Sequence, residues 1–318
     1  MRTEQSDRRW LHGVVPPVCT PLTEAGQVDV ASLERLCGFL LDAGVSGLFV
    51  GGSTGEVSQL TDEMRAVALR TVVAAADGRV PVLAGVIDTA TPRVLAQART
   101  AQRLGADAVV ATAPFYLGID QAEVRAHFRL LRSAVDVRVV GYDIPSNVGY
   151  KLPVPLVAEL AHDGVLDGLK DSSGDLVSFR AVLAAVGDLP DFACLTGSET
   201  QADLAMLAGA HGIVPGLGNV DPDGYLRLYG YARAGDWSAA RREQERLVEL
   251  FTIINVADRQ RVGPISAALG AFKAALVLRG VIERPDTLPP LLPLTAAERQ
   301  EVGRLLAAAG VPSVAVRP

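Results

Sequence analysis

The chain has 318 residues, of which 49% are hydrophobic and only 5% aromatic, and its net charge of -6 comes from interspersed acidic and basic side chains. No basic run is present, so nucleic acid and anionic membrane surfaces are poor candidates as partners, and no stretch approaches the ~18 to 20 continuous apolar residues of a membrane helix. Cys19, Cys37 and Cys194 lack metal-ligand spacing, which fits a reducing compartment. With a charged N-terminus that leads into no apolar signal segment, the expectation is a cytoplasmic protein without a metal site.

In chain order, short apolar runs alternate with helical patterns. A strand is expected over 14–20, then a helix over 31–43; a strand over 48–51, then a helix over 62–76. Residues 81–86 precede a helix opening at Thr91-Pro92, with proline in its favoured first turn. Strand 108–111 precedes helix 121–134, and strand 138–142 precedes helix 155–161. Strand 166–170 leads to helix 175–186, strand 193–197 to helix 200–208, and 212–215 closes the series. Eight such units without polar alternation in the strands imply a parallel sheet buried on both faces. The fold class is α/β, a (β/α)8 TIM barrel over 1–225 with a C-terminal helical appendage over 226–318. Beyond Asp221 the pattern is helical only, with stretches expected at 223–234, 237–256, 263–278 and 295–309. An open doubly wound sheet is the competing architecture, but Gly216-Leu217-Gly218-Asn219 lacks the third glycine of a dinucleotide-binding turn.

Barrel enzymes gather their chemistry at the C-terminal ends of the strands. Lys170, one of only three lysines, ends the sixth strand there. Desolvation disfavours the ammonium form, and a neutral amine attacks ketones, so this is a place for a Schiff-base nucleophile. A lysine snorkelling from a strand end to solvent fits the segment equally well. Gly51-Gly52-Ser53-Thr54-Gly55-Glu56 follows the second strand, where backbone amides and hydroxyls suit a carboxylate, or where Ser and Thr simply cap the next helix. Tyr116 follows the fourth strand and Tyr142 ends the fifth. A phenol among hydroxyl partners relays the protons that imine formation needs. His12, His127, His162 and His211 lie away from the strand mouths and read as surface or capping residues. Lys273 reads as a surface or interface side chain.

Four segments in order, G-G-S-T-G-E at 51–56, A-P-F-Y at 113–116, Y-D-I-P-S-N-V-G at 142–149 and G-L-K-D-S-S-G-D at 168–175, resemble those of the pyruvate-dependent class I aldolases. That family includes dihydrodipicolinate synthase, N-acetylneuraminate lyase and 2-keto-3-deoxy-sugar-acid aldolases. The resemblance implies Lys170 as the Schiff-base residue and Tyr142 as the relay phenol, with Ser53 and Thr54 completing the relay and binding the pyruvyl carboxylate. It implies that Tyr116 reaches into a neighbouring subunit's site, hence a homo-oligomer, dimer or tetramer. Gly197 and Val214 match positions lining the pyruvyl pocket.

Two departures bear on substrate. Dihydrodipicolinate synthases carry an arginine where this chain has Asn147, and an amide cannot replace a bidentate guanidinium grip on a carboxylate. Neuraminate lyases carry an Asp-Glu pair after strand seven, where this chain has Glu199 followed by Thr200. The expected activity is therefore a cofactor-free lyase that joins or parts pyruvate and a small aldehyde, with a 2-keto-3-deoxy sugar acid preferred. Dihydrodipicolinate synthase, a family dehydratase, and a non-catalytic pyruvate-binding regulatory barrel are the alternatives.

Overall fold

The computed structural model describes residues 9–313. Its strands are β1 (Gly13–Val14), β2 (Leu48–Val50), β3 (Val82–Gly85), β4 (Ala108–Ala111), β5 (Arg138–Asp143), β6 (Gly168–Asp171), β7 (Ala193–Thr196) and β8 (Gly212–Ile213). All pairings are parallel, in the order β1-β8-β7-β6-β5-β4-β3-β2. The ring closes just beyond β1, where Pro17 bridges Phe49. There the Val18 N–H donates to the Phe49 carbonyl at 2.8 Å and the Phe49 N–H donates to Pro16 at 3.0 Å. The sheet is thus a closed (β/α)8 barrel.

Helices α1 (Val30–Ala43), α2 (Asp62–Ala76), α3 (Thr91–Arg103) and α4 (Gln121–Ala134) cover the first half of the barrel. Then come α5 (Pro145–Val148), α6 (Val154–His162), α7 (Leu176–Ala185) and α8 (Ala202–Ala208). Beyond β8 the chain is helical: α9 (Pro222–Ala234), α10 (Trp237–Phe251), α11 (Pro264–Leu278) and α12 (Ala296–Ala308). Local chemistry sets the boundaries. The Asp29 carboxylate accepts the Ser32 N–H to start α1, and Asp120 with Glu123 forms a capping box at α4. Gly44 ends α1 with φ +98°, a conformation glycine adopts without a Cβ clash.

Alternation along the strands sorts side chains into two apolar layers. Val15, Phe49, Leu83, Val110, Val140 and Leu195 fill the barrel interior. The opposite faces pack against the surrounding helices in one continuous cluster that extends into α9 to α12. The three cysteines are buried in it, and burial pushes each thiol up to about 12.

Several expectations need correction. β1 and β8 are two-residue ladders rather than runs over 14–20 and 212–215. Pro16, Pro17 and Pro215 have no N–H to give, so the chain stays extended there without a full ladder. The four-residue α5 lies where a loop was expected. His127 is buried and His211 half-buried, so neither is a freely solvated side chain. His127 bonds to Thr91 at 2.9 Å, His211 accepts the Cys194 N–H at 2.8 Å, and burial pushes both down to about 4, leaving neutral structural imidazoles at neutral pH. His162 is exposed and faces Asp188. Lys273, expected at a surface or interface, is completely buried in α11.

Candidate active site

Strand register does most of the assembly. β5 and β6 align so that Tyr142 is directly opposite Lys170, and alternation turns both inward at the C-terminal mouth of the barrel. Lys170 is 6% exposed, which removes the snorkelling alternative. Its Nζ lies 4.0 Å from the centroid of the Tyr142 ring and 5.0 Å from that of Phe49. Burial pushes the Tyr142 hydroxyl up, but the Lys170 charge and hydrogen bonds with Lys170, Ser53 and Ser172 outweigh it, so the phenol is more acidic than usual. Ser53 and Lys170 therefore meet at one phenol. Ser172 joins them and was not singled out from the sequence, although it is two residues past Lys170 and so on the same face of the strand.

Gly197 extends β7 beside the lysine. A Cβ there would lie 2.0 Å from Ser172 Oγ and 3.0 Å from Lys170 Cε, so only glycine leaves room for both. Thr54 Oγ1 and Glu199 Oε2 face the same backbone spot, Gly216, where a Cβ would lie 3.2 and 3.4 Å from them. Glu199 is half-buried. Its carboxylate accepts the Leu217 N–H at 2.6 Å and the Tyr225 O–H at 3.4 Å. Burial pushes it up to about 7, against the pull of these hydrogen bonds and of the Lys170 charge. Val214 is buried in the interior layer.

Farther out, a cavity of about 220 Å3 opens at the mouth, bordered by Ser53, Gln59, Thr112, Phe115, Asn147 and Ile265 among others. Its lining includes no charged side chain. Lys151, three residues after Val148, is turned elsewhere: it pairs with Asp143 and lies 3.7 Å from Asp171, two buried carboxylates on the outer face of the strands. It therefore cannot stand in for an arginine at position 147. Tyr116 stays apart from the cluster of its own barrel. It is 91% exposed, with φ +83°, next to the exposed Leu117. Among the described residues no group of three or more His, Cys, Asp or Glu could hold a metal ion, and no helix is long and apolar enough to cross a membrane.

A family model described as the dihydrodipicolinate synthetase family matches residues 10–309. The chain belongs to that family. A 4-hydroxy-tetrahydrodipicolinate synthase of Exiguobacterium sibiricum is 35% identical over 271 residues, covering 83% of this chain and 92% of that protein. Among solved structures, YagE of E. coli K12, a prophage protein of the dihydrodipicolinic acid synthase family in complex with pyruvate, superposes with a TM-score of 0.88 at 29% identity. That match covers 95% of this chain and 99% of YagE. Dihydrodipicolinate synthase of Bacteroides thetaiotaomicron gives a TM-score of 0.88 at 32% identity, with 94% and 98% covered. Members of the dihydrodipicolinate synthetase family are pyruvate-dependent lyases, and this chain is an enzyme of that kind.

Proposed function

We propose that Lys170 is the imine-forming residue and that the enzyme joins or parts pyruvate and an uncharged hydroxyaldehyde, with a 2-keto-3-deoxy sugar acid as the product or substrate. Lys170 Nζ adds to the pyruvate carbonyl carbon. Tyr142, linked to Ser53, delivers a proton to the resulting carbinolamine oxygen, which leaves as water. The Tyr142 phenolate left by that transfer takes a proton from the methyl carbon to give the enamine, whose carbon adds to the aldehyde carbon while the aldehyde oxygen takes up that proton. Addition of water to the imine carbon then frees Lys170 and the 2-keto acid. Thr54 and Ser53 would hold the pyruvyl carboxylate, Gly197 and Val214 would flank the pyruvyl group, and Glu199 and Asn147 would meet hydroxyls of the second substrate.

One observation carries the substrate reading: the mouth cavity is lined by hydroxyl, amide and apolar groups, with Asn147 where a guanidinium would grip a carboxylate and Lys151 engaged elsewhere. The name of the Exiguobacterium relative favours a second reading, condensation with aspartate semialdehyde. The deciding experiment first traps the pyruvate imine with borohydride and maps the adduct, expected on Lys170 and not on Lys151 or Lys273. It then compares kcat/KM for aspartate semialdehyde and short hydroxyaldehydes in wild type and Asn147→Arg. A charge-assisted hydrogen bond to a carboxylate is worth roughly 1.5 to 3 kcal/mol, so the arginine should shift the ratio toward the semialdehyde by about ten- to more than a hundredfold. A wild type that already strongly prefers the semialdehyde would make the synthase reading the right one. The exposed Tyr116 and Leu117 further support a homo-oligomer in which Tyr116 completes a partner's site.

A further inference from the structure

Lys273 lies in α11, far along the chain from the barrel mouth, yet it forms an ion pair with Glu56 in which both side chains are completely buried. Glu56 ends the loop that carries Ser53 and Thr54. It follows the tight turn Ser53–Gly55 and has φ +60°, a left-handed conformation that a residue with a Cβ keeps only when its surroundings hold it there. One carboxylate oxygen faces Lys273; the other accepts the Leu288 N–H at 2.8 Å. Lys273 also donates to the Asp286 carbonyl at 2.6 Å. α11 and the segment behind it therefore grip one side chain together. From the barrel side, Thr20 Oγ1 donates to the Gly55 carbonyl at 2.9 Å, and the Glu56 N–H donates to Ser53 at 3.1 Å.

A fully buried ion pair is a poor way to add stability, because desolvation cancels much of the attraction and packed apolar side chains do as well. Unlike an apolar contact, it fixes where a particular atom sits, which is what the support of a reactive group requires. The turn it holds brings Ser53 to the Tyr142 hydroxyl and Thr54 Oγ1 to the spot beside Glu199.

We propose that Lys273 and Glu56 are a positioning pair through which α11 sets the placement of Ser53 and Thr54 against Tyr142 and Lys170. Neither residue touches substrate. The proposal rests on the reading of Lys170 and Tyr142 as the imine-forming residues, and the test separates the two.

Glu56→Gln/Lys273→Met removes both charges, leaves no unpaired one, and keeps an acceptor for Leu288. Glu56→Asp keeps the charge but shortens its reach, and serves if the double variant fails to fold. In the folded variant, backbone amides of residues 53–57 should exchange hydrogen at least tenfold faster, while those of 168–171 stay unchanged. The rate of borohydride-trappable imine formation and kcat should fall tenfold or more, and KM for pyruvate should rise, because the displaced Ser53 and Thr54 also hold the pyruvyl carboxylate. A folded variant with wild-type exchange at 53–57 and wild-type trapping rate overturns the proposal, as does a uniform rise in exchange across the barrel. If the wild type itself gives no adduct on Lys170, the imine reading falls, and the exchange measurement still decides the positioning.

Discussion

Replacing Glu199 with glutamine should remove a definite slope from the dependence of stability on pH. The carboxyl is pushed up from an ordinary 4.5 to about 7, chiefly by burial. Below pH 4.5 it is protonated whether the chain is folded or not. Between 4.5 and 7 the unfolded chain has lost the proton and the folded one keeps it, so the folded state binds more protons and stability falls as pH rises. Above 7 both states are ionised and the loss is complete, amounting to about 3 kcal/mol. Glutamine keeps an acceptor for the Leu217 N–H and has nothing to ionise. Urea unfolding of wild type and Glu199→Gln at pH 5, 6, 7 and 8 isolates the group, because other titrating residues cancel in the difference. The variant should gain roughly 2 to 3 kcal/mol relative to wild type between pH 5 and pH 8. A difference that stays flat, or that grows as pH falls, would show that Glu199 is not held above its ordinary range and would refute the burial argument.

Tyr142→Phe keeps the packing against Phe49 and removes the hydroxyl shared by Lys170, Ser53 and Ser172, so kcat should fall about 100- to 10,000-fold while the melting temperature changes little; a loss below tenfold would remove the phenol from the relay. Tyr116→Phe subunits mixed with Lys170→Ala subunits should regain activity in hybrids in which one site is intact. Mixtures that stay inactive after demonstrated subunit exchange would rule out a shared site.

Much of the site is legible in the sequence because parallel strands convert order into position. Residues ending consecutive apolar runs must gather at one rim, so Tyr142 and Lys170 can be placed side by side from spacing alone. Helix limits such as 62–76 and 121–134 follow from caps and periodicity, and agree with α2 and α4. Sequence reasoning failed where the decisive partner lies far along the chain. Lys273 was misread because a charged residue usually faces water; yet α11 is apolar nearly all round, so a lone lysine in it has no wet face to choose and must find an acid. His127 carried a similar signal, since it falls in line with Val124, Phe128 and Leu131 on the buried stripe of α4. Ser172 was signalled by its spacing of two from Lys170, whereas the engagement of Lys151 by Asp143 and Asp171 depends on a pairing between β5 and β6 that no local pattern encodes.

The barrel's ladders are unequal, and the inequality has a direction. β5 is paired over four positions on each side, whereas β1 meets β8 over two and meets the β2 side through the Pro17 bridge and one hydrogen bond from the Ser46 N–H to the Val14 carbonyl. The ring is stiffest where Tyr142 and Lys170 are held and has its seam near Val14 to Val18. Thermal fluctuation should therefore part the barrel first at that seam, and the strands that align the two reactive groups should be the last to lose register.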